Sequence, residues 1–267
     1  MNTIRQSTCA IALICIAPFM SAQSSARELD IASRAVEEAR TAVAHASRQT
    51  IFTVKAYHDT DGRLVVGGAT SDSIAYKSVV ERLADAGVDY TDSIHLLPYD
   101  RWALTRLSAA SHRTAPRHAA EMATQSVMGT PLRVLEKAGE WTRVQTPDGY
   151  IAYVPSSSIC IKTGAEMDAW RNGKRFIVTS PYQTRVYRSS TATSPRDIVS
   201  DLVSGCIVSA VGGAVKVDNG RLHIELPDGR TGYAETSALT PIEQWAAQEF
   251  NPELILDTAY SLTLIHN

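Results

Sequence analysis

Between Glu28 and Arg48, apolar groups fall at Leu29, Ile31, Ala35, Val36, Ala39 and Val43 among charges and alanines. That is helical spacing built from good helix formers. Ile51 to Tyr57 alternates as a strand does, His58 to Gly62 reads as a turn, Leu64 to Val66 resumes the strand, and Gly67-Gly68 ends it. Ser71 or Asp72 caps a helix predicted to reach about Ala86, Gly87 stops it, and Asp92 to Leu97 supplies a third strand. The order is β-hairpin, helix, strand. So small a unit holds little core alone, so the leading helix is expected to pack on its sheet.

From about Ala109 short β-branched runs alternate with Gly, Pro, Asp and Ser clusters, the mark of small all-β architecture. An internal repeat stands out. Thr146-Pro-Asp-Gly-Tyr-Ile-Ala-Tyr-Val-Pro-Ser-Ser-Ser-Ile159 recurs eighty residues later as Leu226-Pro-Asp-Gly-Arg-Thr-Gly-Tyr-Ala-Glu-Thr-Ser-Ala-Leu239. Upstream of each copy a glycine precedes an apolar strand, Gly129 to Leu135 and Gly205 to Val211. Pro-Asp-Gly makes a tight turn: Pro presets φ, Asp bonds locally and Gly accepts positive φ. The apolar content of the first hairpin is expected from Trp141, Val144, Ile151 and Tyr153, and of the second from Leu222, Ile224, Leu226 and Tyr233.

The 267 residues carry a formal net charge of -2, with 44% hydrophobic and 20% charged residues, the balance of an ordinary globular protein. A near-neutral chain lacks the basic surface of a general nucleic-acid binder. Cys9 to Met20 is an apolar run too short to span a bilayer, followed by small and polar residues Ser21 to Ala26. This reads as a secretory signal over residues 1–26, cleaved after Ala22 or Ala26, and places the protein in the periplasm or cell envelope. No other segment is long and apolar enough to cross a membrane. The mature chain would keep only Cys160 and Cys206, expected as buried free thiols, although a disulfide is permitted in an oxidising compartment.

Candidate chemistry is sparse. Asp59, Asp61 and Gly62 resemble part of a calcium loop, but a hairpin turn is the better reading, because no later bidentate acid is in register. G-x-S-x-G, P-loop and H-E-x-x-H motifs are absent from the sequence. His112 and His118 bracket a loop without partners at zinc spacing, and read as solvated loop histidines. No metal and no cofactor are expected. Trp141, Tyr150 and Tyr153 cluster on one hairpin, where aromatic faces with polar tips suit glycan or peptide contacts. Strand alternation puts Tyr150 and Tyr153 on opposite faces, one in the core and one exposed, with Tyr150 preferred as the exposed one. Residues 171–196 hold six Lys and Arg residues, Arg185 and Arg188 among them, and no acid. Such a surface can pair with carboxylates, and the alternative is a solvated face.

Arg113-Thr-Ala-Pro116, Gly129 to Leu135, Glu140-Trp141 and Thr146 to Val154 resemble a bacterial SH3 (SH3b) domain, and Phe176 to Tyr182 through Pro227 to Tyr233 resembles a diverged second copy. The tandem is similar to the non-catalytic part of secreted NlpC/P60 (C40) cell-wall peptidases, which cut stem peptides between γ-D-glutamate and the diamino acid. The resemblance implies an α+β chain. A small β-hairpin-helix-strand domain (27–100, loosely BON-like) precedes two SH3b-like β-barrels (108–162 and 175–240) and a truncated connector helix (241–267). Peptidoglycan stem peptides are the implied partner, with Trp141, Tyr150, Tyr153, Arg185 and Arg188 as candidate ligand-binding residues. The family's Asp-Cys-Ser-Gly nucleophile motif, which sits at a helix N-terminus, is missing from this sequence. The expectation is therefore a binding module without catalysis. The alternative is a γ-D-glutamyl-diamino-acid endopeptidase lacking its catalytic domain.

Overall fold

Residues 16–43, 49–98, 100–181, 183–249, 251–253 and 255–256 are described by a computed structural model. They fall into two units that part after Leu97.

In the first unit, helix α1 (Ile16–Val43) runs through both expected cleavage points, after Ala22 and Ala26. The start of the apolar run, up to residue 15, lies outside the described residues, as does the expected helix end at 44–48. No helix among the described residues is long and apolar enough to cross a membrane. Ala32, Ala35, Val36 and Ala39 form the buried stripe of α1 and share a core with Val54, Leu64, Val66, Val79 and Leu83. Strands β1 (Lys55–His58) and β2 (Leu64–Thr70) pair antiparallel. Their turn is closed by Asp59, whose Oδ1 accepts from the Asp61 and Arg63 amides at 2.9 Å each. The expected stop at Gly67-Gly68 does not occur, and β2 continues to Thr70. There the backbone of Thr53 crosses so closely that a Cβ on Gly68 would sit 2.6 Å from the Thr53 carbonyl oxygen. The glycine pair thus serves close approach within a strand. Helix α2 (Ser73–Asp85) is capped by Asp72, which accepts from the Ile74 and Ala75 amides. Strand β3 (Thr91–Leu96) then pairs parallel to β2.

The second unit holds two sheets. The first combines β4 (Trp102–Thr105), β5 (Ala109–Arg113), β6 (Met122–Val127), β7 (Pro131–Ala138), β8 (Trp141–Gln145), β9 (Ile151–Pro155) and β10 (Ile159–Lys162), in the order β10-β4-β7-β8-β9-β5-β6. Helix α3 (Gly164–Asn172), closed at its start by a Thr163–Glu166 capping box, leads on. The second sheet combines β11 (Arg175–Val178), β12 (Thr184–Tyr187), β13 (Ile198–Leu202), β14 (Ile207–Ala210), β15 (Val217–Asp218), β16 (Arg221–Glu225), β17 (Thr231–Glu235) and β18 (Leu239–Pro241). Its path is β18-β11-β14-β16-β17-β12-β13, with β15 paired only to β16. Strand for strand this repeats the first sheet. Both paths are open: among the described residues no backbone pairing closes either sheet into the expected barrel. The connector is described as a short helix α4 (Ile242–Ala246), and residues 257–267 lie outside the described residues.

The repeated turns are alike in detail. Gly149 donates its amide to Thr146 at 2.8 Å, and Gly229 donates to Leu226 at 2.9 Å. The hairpin that follows differs from expectation. In β9 the buried residues are Ala152 and Val154, whereas Ile151 and Tyr153 are half-buried on the other face. Register decides this, because Val144 opposes Ala152 and Thr142 opposes Val154, so the core-facing positions of β8 select the even positions of β9. Likewise Gly232 and Ala234 point inward in β17, and Tyr233 does not.

The two sheets are joined at Met128. Its side chain is fully buried in the core of the second sheet, with Phe176, Val186, Leu202, Val208 and Ile224. Its carbonyl accepts from the Ile207 amide at 2.8 Å. Gly129 beside it has φ +81°, and a Cβ there would meet the Ile207 carbonyl oxygen at 2.1 Å.

Candidate functional site

Directly opposed residues on neighbouring strands share a face, so register alone builds a row across the first sheet. Glu136 opposes Arg143, Arg143 opposes Tyr153, and Tyr153 opposes Arg113. The Arg143 guanidinium carbon lies 5.3 Å from the Tyr153 ring centroid, within cation–π range. Arg143 Nη1 also donates to Glu136 Oε1 at 3.0 Å, and Arg113 Nη1 donates to the Ala120 carbonyl at 3.0 Å. The result is a half-buried tyrosine ring with the Arg143 guanidinium beside it and Arg113 opposite it on the neighbouring strand. The second sheet carries a related row, in which His223 opposes Tyr233 and Tyr233 opposes Tyr187. The His223 and Tyr233 rings stack at 4.5 Å and 9°. Arg221, held by Glu235 at 2.7 Å, covers the Tyr187 ring at 4.4 Å.

The five residues singled out from the sequence do not form one site. Trp141 is buried, with the exposed His118 against its ring at 5.0 Å. Tyr150 ends the first Pro-Asp-Gly turn, half-buried, its carbonyl accepting from the Thr146 amide at 3.0 Å. Neither Tyr150 nor Tyr153 is a core residue, contrary to the expectation that one of them would be. Arg185 and Arg188 are exposed and belong to the second sheet, where Arg185 opposes Asp201. The structure therefore adds Arg113, Arg143 and Glu136 to Tyr153 and separates it from Arg185 and Arg188 in the fold. One signal was available: Arg143 and His223 are eighty residues apart, as are Tyr153 and Tyr233, so a cation or imidazole recurs ten positions before the repeated tyrosine.

His112 is not a loop residue. It lies in β5, fully buried, with Nε2 2.7 Å from Ser126 Oγ, which in turn lies 2.8 Å from Thr105 Oγ1. Burial pulls the imidazole down to about 4 against the opposing pull of Asp148, so it is neutral at physiological pH. Both thiols are free, Cys206 buried and Cys160 half-buried. Burial pushes Cys206 up to about 11 and raises Cys160 as well, so neither is an activated nucleophile. No cluster of metal-ligating side chains occurs among the described residues.

Among the cavities of this unit are three beside its sheets. One of about 350 Å³ is bounded by Trp170 and Lys174 from the α3 end and by Ser209, Gly212 and Glu225 from the second sheet. A second, about 360 Å³, opens beside Trp102, Arg133 and Arg171, and a third, about 200 Å³, beside Ile159 and Ile161. None of the five sequence-selected residues lines any of them.

Residues 112–159 match the family of the bacterial dipeptidyl-peptidase Sh3 domain. The bacterial SH3 resemblance read from the sequence is thus shown for the stretch from β5 to the start of β10. Solved structures similar to this chain include those of NlpC/P60 proteins. One, an NlpC/P60 family protein from Bacillus cereus, is 17% identical over 52% of this chain and 55% of its own, with a TM-score of 0.41. Another, an NlpC/P60 endopeptidase from Photobacterium damselae subsp. piscicida, is 15% identical over 53% of this chain and 33% of its own, with a TM-score of 0.35. The chain thus spans 55% and 33% of the length of those two proteins. No curated protein matches it.

Proposed function

We propose that this chain is an exported cell-wall module whose first sheet binds peptidoglycan stem peptides across the Tyr153 row, without cleaving them. The observation that carries this is the Tyr153 ring beside the Arg143 guanidinium, in one cross-strand row with Arg113, on the face away from the core. Stem peptides present carboxylates on short aliphatic chains. Guanidinium groups pair with the former, and the tyrosine ring covers the latter. The match of residues 112–159 to a bacterial peptidase SH3 domain supports a wall-associated role. The unactivated Cys160 and Cys206 thiols support binding without thiol chemistry.

Co-sedimentation of the chain with purified sacculi tests the reading. Wild type is expected in the pellet with modest affinity, since partly exposed contacts contribute about 1 kcal/mol each. Tyr153→Ala should weaken binding at low and high salt alike. Arg113→Ala should weaken it mainly at low salt, where charge is screened least. Tyr150→Ala and Arg188→Glu, away from the row, should change little. Absence from the pellet at every salt concentration would end the proposal.

A further inference from the structure

We infer that the cavity beside Trp102 is a second binding site, for the terminal carboxylate of a short peptide, and it does not depend on the Tyr153 row. The cavity measures about 360 Å³ and is lined by Trp102, Pro131, Arg133, Gln145, Thr146, Pro147, Gly149 and Arg171. That volume lies within the range of small-ligand pockets. Its lining holds two guanidinium groups and no carboxylate.

The site follows from register. Trp102 of β4 opposes Arg133 of β7, and Arg133 opposes Gln145 of β8, so the three stand in one row. Arg133 is 8% exposed, Nε donating to the Pro98 carbonyl at 3.2 Å and Nη1 to Gln145 Oε1 at 3.1 Å. Gln145 Nε2 in turn donates to the Gly149 carbonyl at 2.9 Å. This chain of bonds runs from before β4 to the first Pro-Asp-Gly turn and sets the guanidinium plane before any ligand arrives. Arg171, in the last turn of α3, lies over the Trp102 ring at 4.5 Å. Its own ion pair is the long, exposed contact to Asp168 at 3.7 Å, which competes weakly.

A carboxylate fits these groups for two reasons. A planar anion accepts from guanidinium in a bidentate fashion, and a buried cation gains more from it than a solvated one does. The remaining walls, Trp102, Pro131 and Pro147, are apolar and rigid, which suits the aliphatic part of a peptide end.

The test is calorimetric titration of the full chain with N-acetyl-alanyl-alanine, with the same dipeptide as its C-terminal amide, and with inorganic phosphate. The acid is expected to bind at least tenfold more tightly than the amide, and phosphate to compete poorly. Arg171→Glu, at an exposed position, should abolish acid binding with only a small drop in thermal stability, and Trp102→Leu should weaken it severalfold. Arg133→Lys should weaken it too; if that variant does not fold, Arg171→Glu decides. Equal binding of acid and amide, no binding of the acid, an unaffected Arg171→Glu variant, or phosphate binding as well as the acid would each overturn the inference. Sedimentation with sacculi is a separate readout, so this site and the Tyr153 reading fail independently.

Discussion

Arg106 Nε lies 3.0 Å from Asp228 Oδ2, tying the segment after β4 to the Pro-Asp-Gly turn of the other sheet. Asp228 also accepts from Arg230 Nε at 2.7 Å. Burial alone would raise this carboxyl; the bonds from Arg106 and Arg230 outweigh it and hold it below the ordinary carboxylate value. In the first repeat, Asp148 accepts instead from Thr146 within its own turn. In the second copy the motif is thus a docking point as well as a turn. A double-mutant cycle on Arg106→Ala and Asp228→Asn, read by urea unfolding, should give a coupling of about 1 kcal/mol, the modest value expected for a partly exposed pair. Strictly additive losses would show that the pair contributes nothing.

Met128 sits between strands of the first sheet but is buried in the core of the second. Met128→Ala should cost about 2–5 kcal/mol, the range for a large buried side chain. The loss should appear as faster amide exchange at Leu222 and Ile224, in the other sheet. Gly129→Ala should be severe as well, because it forces both a left-handed backbone and a clash with Ile207. Gly139→Ala, at φ +61° with nothing near its Cβ, is the control and should cost about 1 kcal/mol. Exchange that rises only in the first sheet of the Met128 variant would contradict this coupling.

His112 should make the fold acid-sensitive. Its folded-state value is depressed to about 4 from 6.5. Below pH 6.5 the unfolded chain takes a proton that the folded one refuses until about pH 4. Stability should thus be independent of this group above 6.5 and fall between 6.5 and 4, by about 3 kcal/mol at most. Urea midpoints measured across that window should show the fall, and His112→Gln should flatten it. A wild-type midpoint unchanged from pH 7 to 5 would rule it out.

The thiols should behave unequally toward iodoacetamide at pH 8. Cys206 is fully buried and raised to about 11, so it should react only with global unfolding. Cys160, half-buried, should react slowly in the native state. Rapid native labelling of Cys206, read by mass spectrometry of peptides, would contradict the packing of the second core.

Export predicts a mature N-terminus near Gln23 or Arg27. N-terminal sequencing of protein recovered from the native envelope checks this. An intact Met1 there would refute the signal reading, and the continuous α1 would then be the form present in the cell.

What the sequence by itself determined were the features whose cause is local. The Asp72 cap, the Asp59 turn, the two Pro-Asp-Gly turns and the repeat of strands around them depend on residues a few positions apart, whose side chains bias φ or close a nearby amide. The bacterial SH3 resemblance was legible for the same reason, since its motifs are turns and short strands. Only the tertiary structure decided which side chains meet. Arg113 and Tyr153 are forty residues apart and face each other because β5 and β9 are neighbours in the sheet. His112 reads as polar and belongs to a buried network, and Tyr153 reads as core yet lies on the opposite face, because a one-residue choice of register exchanges the two faces of a strand. Register across a seven-strand path is set by how the whole core packs, and no local stretch of the chain contains that information.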